Sequence, residues 1–166
     1  MEGLVKNLWE TAGIPVRAPF PRMSYAEAIA RYGLDAPDTR FELELTDLTD
    51  LFQKTSFRVF GDAVKKDGII KALVVKNGSD LSRKDLDDLT EFVKIYGAKG
   101  LAWIRIEGDK WQSPIEKFLS EEEKRGLKER LKLETGDLIF FGADRAKIVN
   151  DSLGNLREHL GKKLKL

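Results

Sequence analysis

The single histidine of this 166-residue chain, His159, sits in a lysine-rich stretch near the C-terminus. One imidazole argues against a histidine metal site and against a Ser-His-Asp triad, so His159 is expected on a solvated surface. There are no cysteines. That excludes disulfides, thiolate nucleophiles and Cys-ligated zinc or iron–sulfur centres. Carboxylates are plentiful: Glu42 and Glu44 share one face of an extended stretch, and Asp85, Asp87 and Asp88 cluster on a helix. Acid–base work needs a cleft that drives two pKa values apart. The pattern offers none, and solvated faces are expected. Neither Gly-x-x-x-x-Gly-Lys-[Ser/Thr] nor Gly-x-Gly-x-x-Gly occurs, so no phosphate-cradling loop is recognised. Gly97-Ala98-Lys99-Gly100 reads as a helix stop running into a strand. No catalytic residue, substrate-binding residue, metal ligand or cofactor is assigned to this chain.

The basic residues leave one question open. Net charge is only +1, so the chain is not a polycation. Strong non-specific binding to nucleic acid is not expected from composition, and any contact must come from a local patch. Arg83, Lys84, Lys94 and Lys99 belong to one helix and its exit. A solvated helix face and a contact with a nucleic-acid backbone are both compatible with them. Lys162, Lys163 and Lys165 close the chain, where cations suit the negative end of a helix dipole. Trp9, Trp103 and Trp111 are expected in the core.

The elements that would position these residues follow from periodicity. Leu4, Val5, Leu8 and Trp9 at helical spacing predict a helix over residues 2–12, closed by Gly13. Pro15, Pro19 and Pro21 keep the next stretch extended. Ser24 followed by Glu27 predicts a capping box and a helix ending at Gly33. Phe41, Leu43 and Leu45 alternate as in a short strand, with a short helix over residues 46–54. Residues 57–60 and 69–76 read as a hairpin around Lys66-Asp67-Gly68. Ser82 opens a helix with Leu86, Leu89, Phe92, Val93 and Tyr96 on its apolar stripe, stopped by Gly97. Residues 101–106 form a strand, Gly108-Asp109 a turn, and Trp111 begins a fourth strand. Helical turns cover residues 115–119 and 120–131, and residues 138–141 are strand. Asp144 is expected to cap a last helix whose face carries Val149, Leu153, Leu156, Leu160 and Leu164.

The fold class that results is α+β. It is a small, mostly antiparallel sheet with helices packed on one face, a two-layer β-β-α-β-β-α core with helical flanks. A boundary is expected near residues 53–56. With 42% hydrophobic and 34% charged residues the chain is globular, not disordered. It has no stretch approaching the roughly 20 apolar residues of a membrane span. No signal-peptide pattern is present at the N-terminus, and a cytoplasmic setting is expected.

Several strings carry a resemblance. Residues 20–28 (Phe-Pro-Arg-Met-Ser-Tyr-Ala-Glu-Ala), Arg31-Tyr32-Gly33, and residues 35–41 (Asp-Ala-Pro-Asp-Thr-Arg-Phe) resemble bacterial aspartyl-tRNA synthetases just after motif 2. There the family usually reads Ser-Asp-Lys-Pro-Asp-Leu-Arg-Phe; Leu34, Ala36 and Thr39 depart from it, so a role resting on that serine or lysine cannot be carried over. Residues 94–101, Ser113-Pro114, Lys117-Phe118-Leu119, Gly136-Asp137 and residues 140–144 are similar to the family's insertion domain, whose name the letters of Gly142-Ala143-Asp144 spell. Lys147-Ile148-Val149 and residues 156–161 continue the match.

The resemblance implies residues 1–53 as a flanking segment of the class II catalytic domain, and residues 54–166 as the GAD insertion domain with its return helix. It implies a parent enzyme that makes aspartyl-adenylate from aspartate and ATP, with magnesium, and then charges tRNA. The arginines that clamp the phosphates belong to motifs 2 and 3, which are missing here; by alignment the chain starts after the first and ends before the second. Gln112-Ser113-Pro114 resembles the family's Gln-Ser-Pro-Gln aspartate-binding stretch only superficially, because Ile115 follows. The isolated chain is therefore expected to be inert and, lacking motif 1, monomeric, while the parent is a homodimer. Two roles remain for it: contacting or guiding the tRNA acceptor arm, with Arg83, Lys84, Lys94 and Lys99 as candidates, or a purely structural insertion. A related GAD domain occurs in a tRNA-dependent amidotransferase subunit, but residues 20–41 argue for the synthetase.

Overall fold

The computed structural model describes residues 1–108 and 110–166; Asp109, half of the expected Gly108-Asp109 turn, lies outside the described residues. Its centre is a five-stranded antiparallel sheet built from β1 (Leu45–Asp47), β2 (Ile69–Val75), β3 (Ala102–Glu107), β4 (Lys110–Gln112) and β5 (Leu138–Asp144). The strand order is β1-β2-β5-β3-β4. β5 is last in sequence yet central in space. It pairs with β2 through Leu73↔Phe140 and Ala72↔Phe141, and with β3 through Trp103↔Phe140.

The antiparallel α+β class is as the sequence predicts, but helices cover both faces of the sheet, not one. On one face α4 (Arg83–Lys94) and α6 (Ala146–Leu164) bury Leu86, Leu89, Val93, Val149, Leu153 and Leu156 against Leu73, Val75, Leu138 and Phe140. On the other, α3 (Arg58–Lys65), α5 (Glu121–Leu131) and the turn holding Leu48 and Phe52 cover Ile70, Ala72, Ile139 and Phe141. The physical reason is visible in the strands. Ile69–Val75 and Leu138–Phe141 are nearly continuous apolar runs, and alternate residues point to opposite faces. A strand apolar on both sides needs cover on both sides.

Local misreadings have identifiable causes. Residues 57–60 open α3, so the expected hairpin does not form and β2 pairs with β1 and β5 instead. Phe57, Phe60 and Ala63 repeat every three residues, a helical period that a four-residue window conceals. Phe60 and Phe57 meet edge-to-face at 4.8 Å, and Phe57 stacks on Phe118 at 5.4 Å. The strand expected from Phe41 begins only at Leu45, because Leu43 has a positive φ of 113° that breaks the alternation. Residues 49–54 are turns, not a helix.

Caps divide in the same way. Ser82–Asp85 and Ser120–Glu123 form full capping boxes. Ser24 accepts from the Glu27 amide, but the Glu27 carboxylate is drawn to Arg31 instead of closing the box. Asp144 does not cap α6; the N-cap is Arg145, whose amide donates to Asp144 Oδ1. Among the described residues no helix is long and apolar enough to cross a membrane.

Candidate functional site

The four cations singled out as nucleic-acid contacts do not converge. Arg83 and Lys84 occupy the first turn of α4, and Lys94 its last residue. At 1.5 Å per residue the two ends lie about 16 Å apart. Asp87, Asp88 and Glu91 are exposed on the helix between them, and Lys94 Nζ donates to Glu91 Oε1. Lys99 lies past the helix, 89% exposed and 4.0 Å from Asp144 Oδ2. The outer face of α4 therefore alternates in sign rather than forming a positive patch.

The candidate carboxylates are tied individually. Arg31 donates to Glu44 through Nε at 3.0 Å and Nη2, and to Glu27 through Nη1. Hydrogen bonding to Arg31 holds Glu44 below the usual carboxylate range. Asp85 receives the Lys163 ammonium, the Ser82 hydroxyl and the Ser82 amide, and these bonds, led by Lys163, hold it well below that range. Glu42, in the same irregular stretch as Glu44, is exposed. Among the described residues no group of three or more His, Cys, Asp or Glu side chains is placed to hold a metal ion. His159 is exposed but not simply solvated: its ring lies 4.6 Å from that of Phe92.

The tryptophans separate. Trp103 and Trp111 are half-buried, packed against opposite cores. Trp111 also walls a depression of about 320 Å³ with Ile106, Lys128, Leu133 and Thr135. Trp9 is 47% exposed, against the expectation of a core position, because α1 (Glu2–Thr11) buries none of its residues and leaves Leu4 and Leu8 exposed as well.

Sequence reasoning missed two buried cations. Lys71, in β2, is 5% exposed; its Nζ donates to the carbonyls of Ile29 and Ala30 and to Asn150 Oδ1. The two carbonyls lie in the last turn of α2 (Tyr25–Tyr32), where the helix dipole is negative. Arg157, in α6, is fully buried and donates to the carbonyls of Leu43, Asp38 and Phe41 at 2.7, 2.6 and 3.0 Å. Its guanidinium carbon lies 4.3 Å from the Phe41 ring centre and 4.7 Å from that of Tyr32. Burial lowers the pKa of both groups. A signal existed for each: Lys71 interrupts an apolar strand, and Arg157 falls four residues after Leu153 on the stripe side of α6.

The comparisons with known proteins fit this architecture. The GAD domain family model matches residues 60–153, more than half the chain. The chain belongs to the GAD domain family. This GAD chain is 53% identical, over 99% of its length, to the aspartate–tRNA(Asp/Asn) ligase of Desulfosudis oleivorans, covering 28% of that protein. It is 55% identical over 99% of its length to the ligase of the same name from Aquifex aeolicus, covering 27%. The corresponding Bacillus anthracis ligase is 52% identical over 98% of the chain, covering 28%. The chain thus spans just over a quarter of the length of these relatives.

Proposed function

We propose that this chain serves as the GAD insertion domain, with its flanking segments, of an aspartate–tRNA ligase. The carrying observation is identity above one half across essentially the whole chain to enzymes of that name. In this reading residues 1–53 flank the insertion within the class II catalytic domain, and residues 54–166 are the GAD domain and return helix. The parent, a cytoplasmic homodimer, makes aspartyl-adenylate from aspartate and ATP with magnesium, releasing pyrophosphate, and then transfers the aspartyl group to tRNA with release of AMP; the relatives' names support tRNA(Asp/Asn) as the acceptor class. Glu44 and Asp85 are each tied to a cation of their own. No step through ATP or magnesium is placed on this chain's residues, and its partners are the rest of the catalytic domain and the tRNA.

Adenylate formation requires charged groups preorganised around the phosphates. Aspartate-dependent ATP–pyrophosphate exchange by the purified 166-residue chain is expected at background, with a relative's intact ligase as positive control. Exchange well above background by the chain alone overturns its inertness. A second reading is that the domain guides the tRNA acceptor arm, with Arg83, Lys84, Lys94 and Lys99 as the contacts. Their exposure supports it.

A further inference from the structure

Besides the Arg31–Glu44 pair, the stretch from α2 to β1 is held by two cations, Lys71 and Arg157, that have no carboxylate partner among the described residues. Residues 38–44 make no regular secondary structure, so their carbonyls lack ladder partners. Arg157 supplies donors instead: Nε to Leu43, and Nη2 to Asp38 and Phe41. Its guanidinium plane is flanked by the Tyr32 and Phe41 rings, and the Phe41 ring lies so close to α6 that a Cβ on Gly161 would come within 2.4 Å of it. Lys71 ties the preceding helix end to Asn150, also on α6. A guanidinium buried this way is stable only while its acceptors stay in place, and among the described residues no other group donates to those three carbonyls.

We infer that Arg157 is a positioning residue that fastens the 34–44 strap onto α6. The segment entering the sheet and the helix leaving it then move as one rigid body instead of hinging. Under the proposed function, this welds the root of the insertion, and the GAD domain turns with its flank; the weld itself rests only on the contacts above.

Trypsin tests it on the 166-residue chain. Arg40 exposes 86% of its side chain but precedes the pinned Phe41, whereas Arg17 lies in an exposed extended stretch. Cleavage needs local opening of the backbone around the bond. In the parent chain, cutting after Arg40 is expected to be on the order of 100-fold slower than after Arg17. Arg157→Met is expected to speed the Arg40 cut at least about 10-fold while the Arg17 rate stays fixed. Leu127→Ala, in the opposite core, is the control for general destabilisation and should speed cutting at Arg40 and within β2 together. If Arg157→Met does not fold, Arg157→Lys, which keeps the charge but lacks the planar guanidinium fork that fits these carbonyls, is expected to give an intermediate acceleration. The inference fails if the parent chain is cut as fast at Arg40 as at Arg17. It fails also if Arg157→Met, or Arg157→Lys in its place, frees Arg40 no more than Leu127→Ala does.

Discussion

Charged side chains in this chain take two routes to stability, and they respond differently to pH. Arg157 and Lys71 are buried against main-chain carbonyls, where burial disfavours the charged form. Asp85 is the opposite case, an acid at the first turn of α4 whose ionised form is favoured by the Lys163 ammonium and the Ser82 donors. Its folded pKa lies below its unfolded one. Its contribution to stability is therefore complete at neutral pH and is lost as pH falls from about 5 through the ordinary carboxylate range and below. Asp85→Asn is expected to flatten the acid limb of the stability profile, with a change at pH 7 that is larger than at pH 3. Urea midpoints between those pH values check it; an unchanged acid limb would show that the Lys163 pair is screened out in solution.

Among the elements, α6 shows best where local rules give way. On propensity alone Gly154 and Gly161 weaken a helix by about 1 kcal/mol each relative to alanine, so alanine there should stabilise. Packing reverses the sign. A Cβ on Gly154 would sit 2.7 Å from Leu34 Cγ and 2.9 Å from the Tyr32 carbonyl oxygen, and main chain cannot swing aside. Gly154→Ala is expected to lose roughly 1–3 kcal/mol, the usual range for overpacking. A thermal melt checks this: a higher midpoint than the parent would mean that α2 sits farther from α6 than described. The helix starts at Ser82 and Ser120 were legible because a serine and an acid three residues apart satisfy amides that only a helix start leaves free. α3 was not legible, since Phe57, Val59 and Phe60 are too few to separate a strand from a helix.

For the whole molecule the arrangement of charge matters more than its total. Arg83, Lys84 and Lys94 share a helix with the exposed Asp87, Asp88 and Glu91, Lys99 lies past its end, and the chain's net charge is only +1. Any contact with tRNA is then expected to be weak and to release few counterions. Filter binding of the isolated chain to tRNA at two salt concentrations should give a slope no steeper than about four contacts' worth, near −0.9 per phosphate. Binding without salt dependence, or none at low salt, removes phosphate contact as the domain's role and leaves the structural insertion. The two-sided core follows from the same global view. β5 joins both faces, so each helix layer depends on a strand that comes late in the sequence.

What the sequence by itself determined is the class of the molecule and the ends of its best-capped helices. Composition, the absence of cysteine and the ordered resemblance needed no coordinates, and the Ser-x-x-acid signals are local chemistry. What only the tertiary structure decided is long-range. It placed β5 at the centre, put helices on both faces, turned Phe41 onto α6 and buried Lys71 and Arg157. The bonds made by Arg157 span more than one hundred residues. A lysine or arginine in an apolar run carries no mark of its acceptors, because carbonyls belong to every residue and only folding decides which ones are left without a donor.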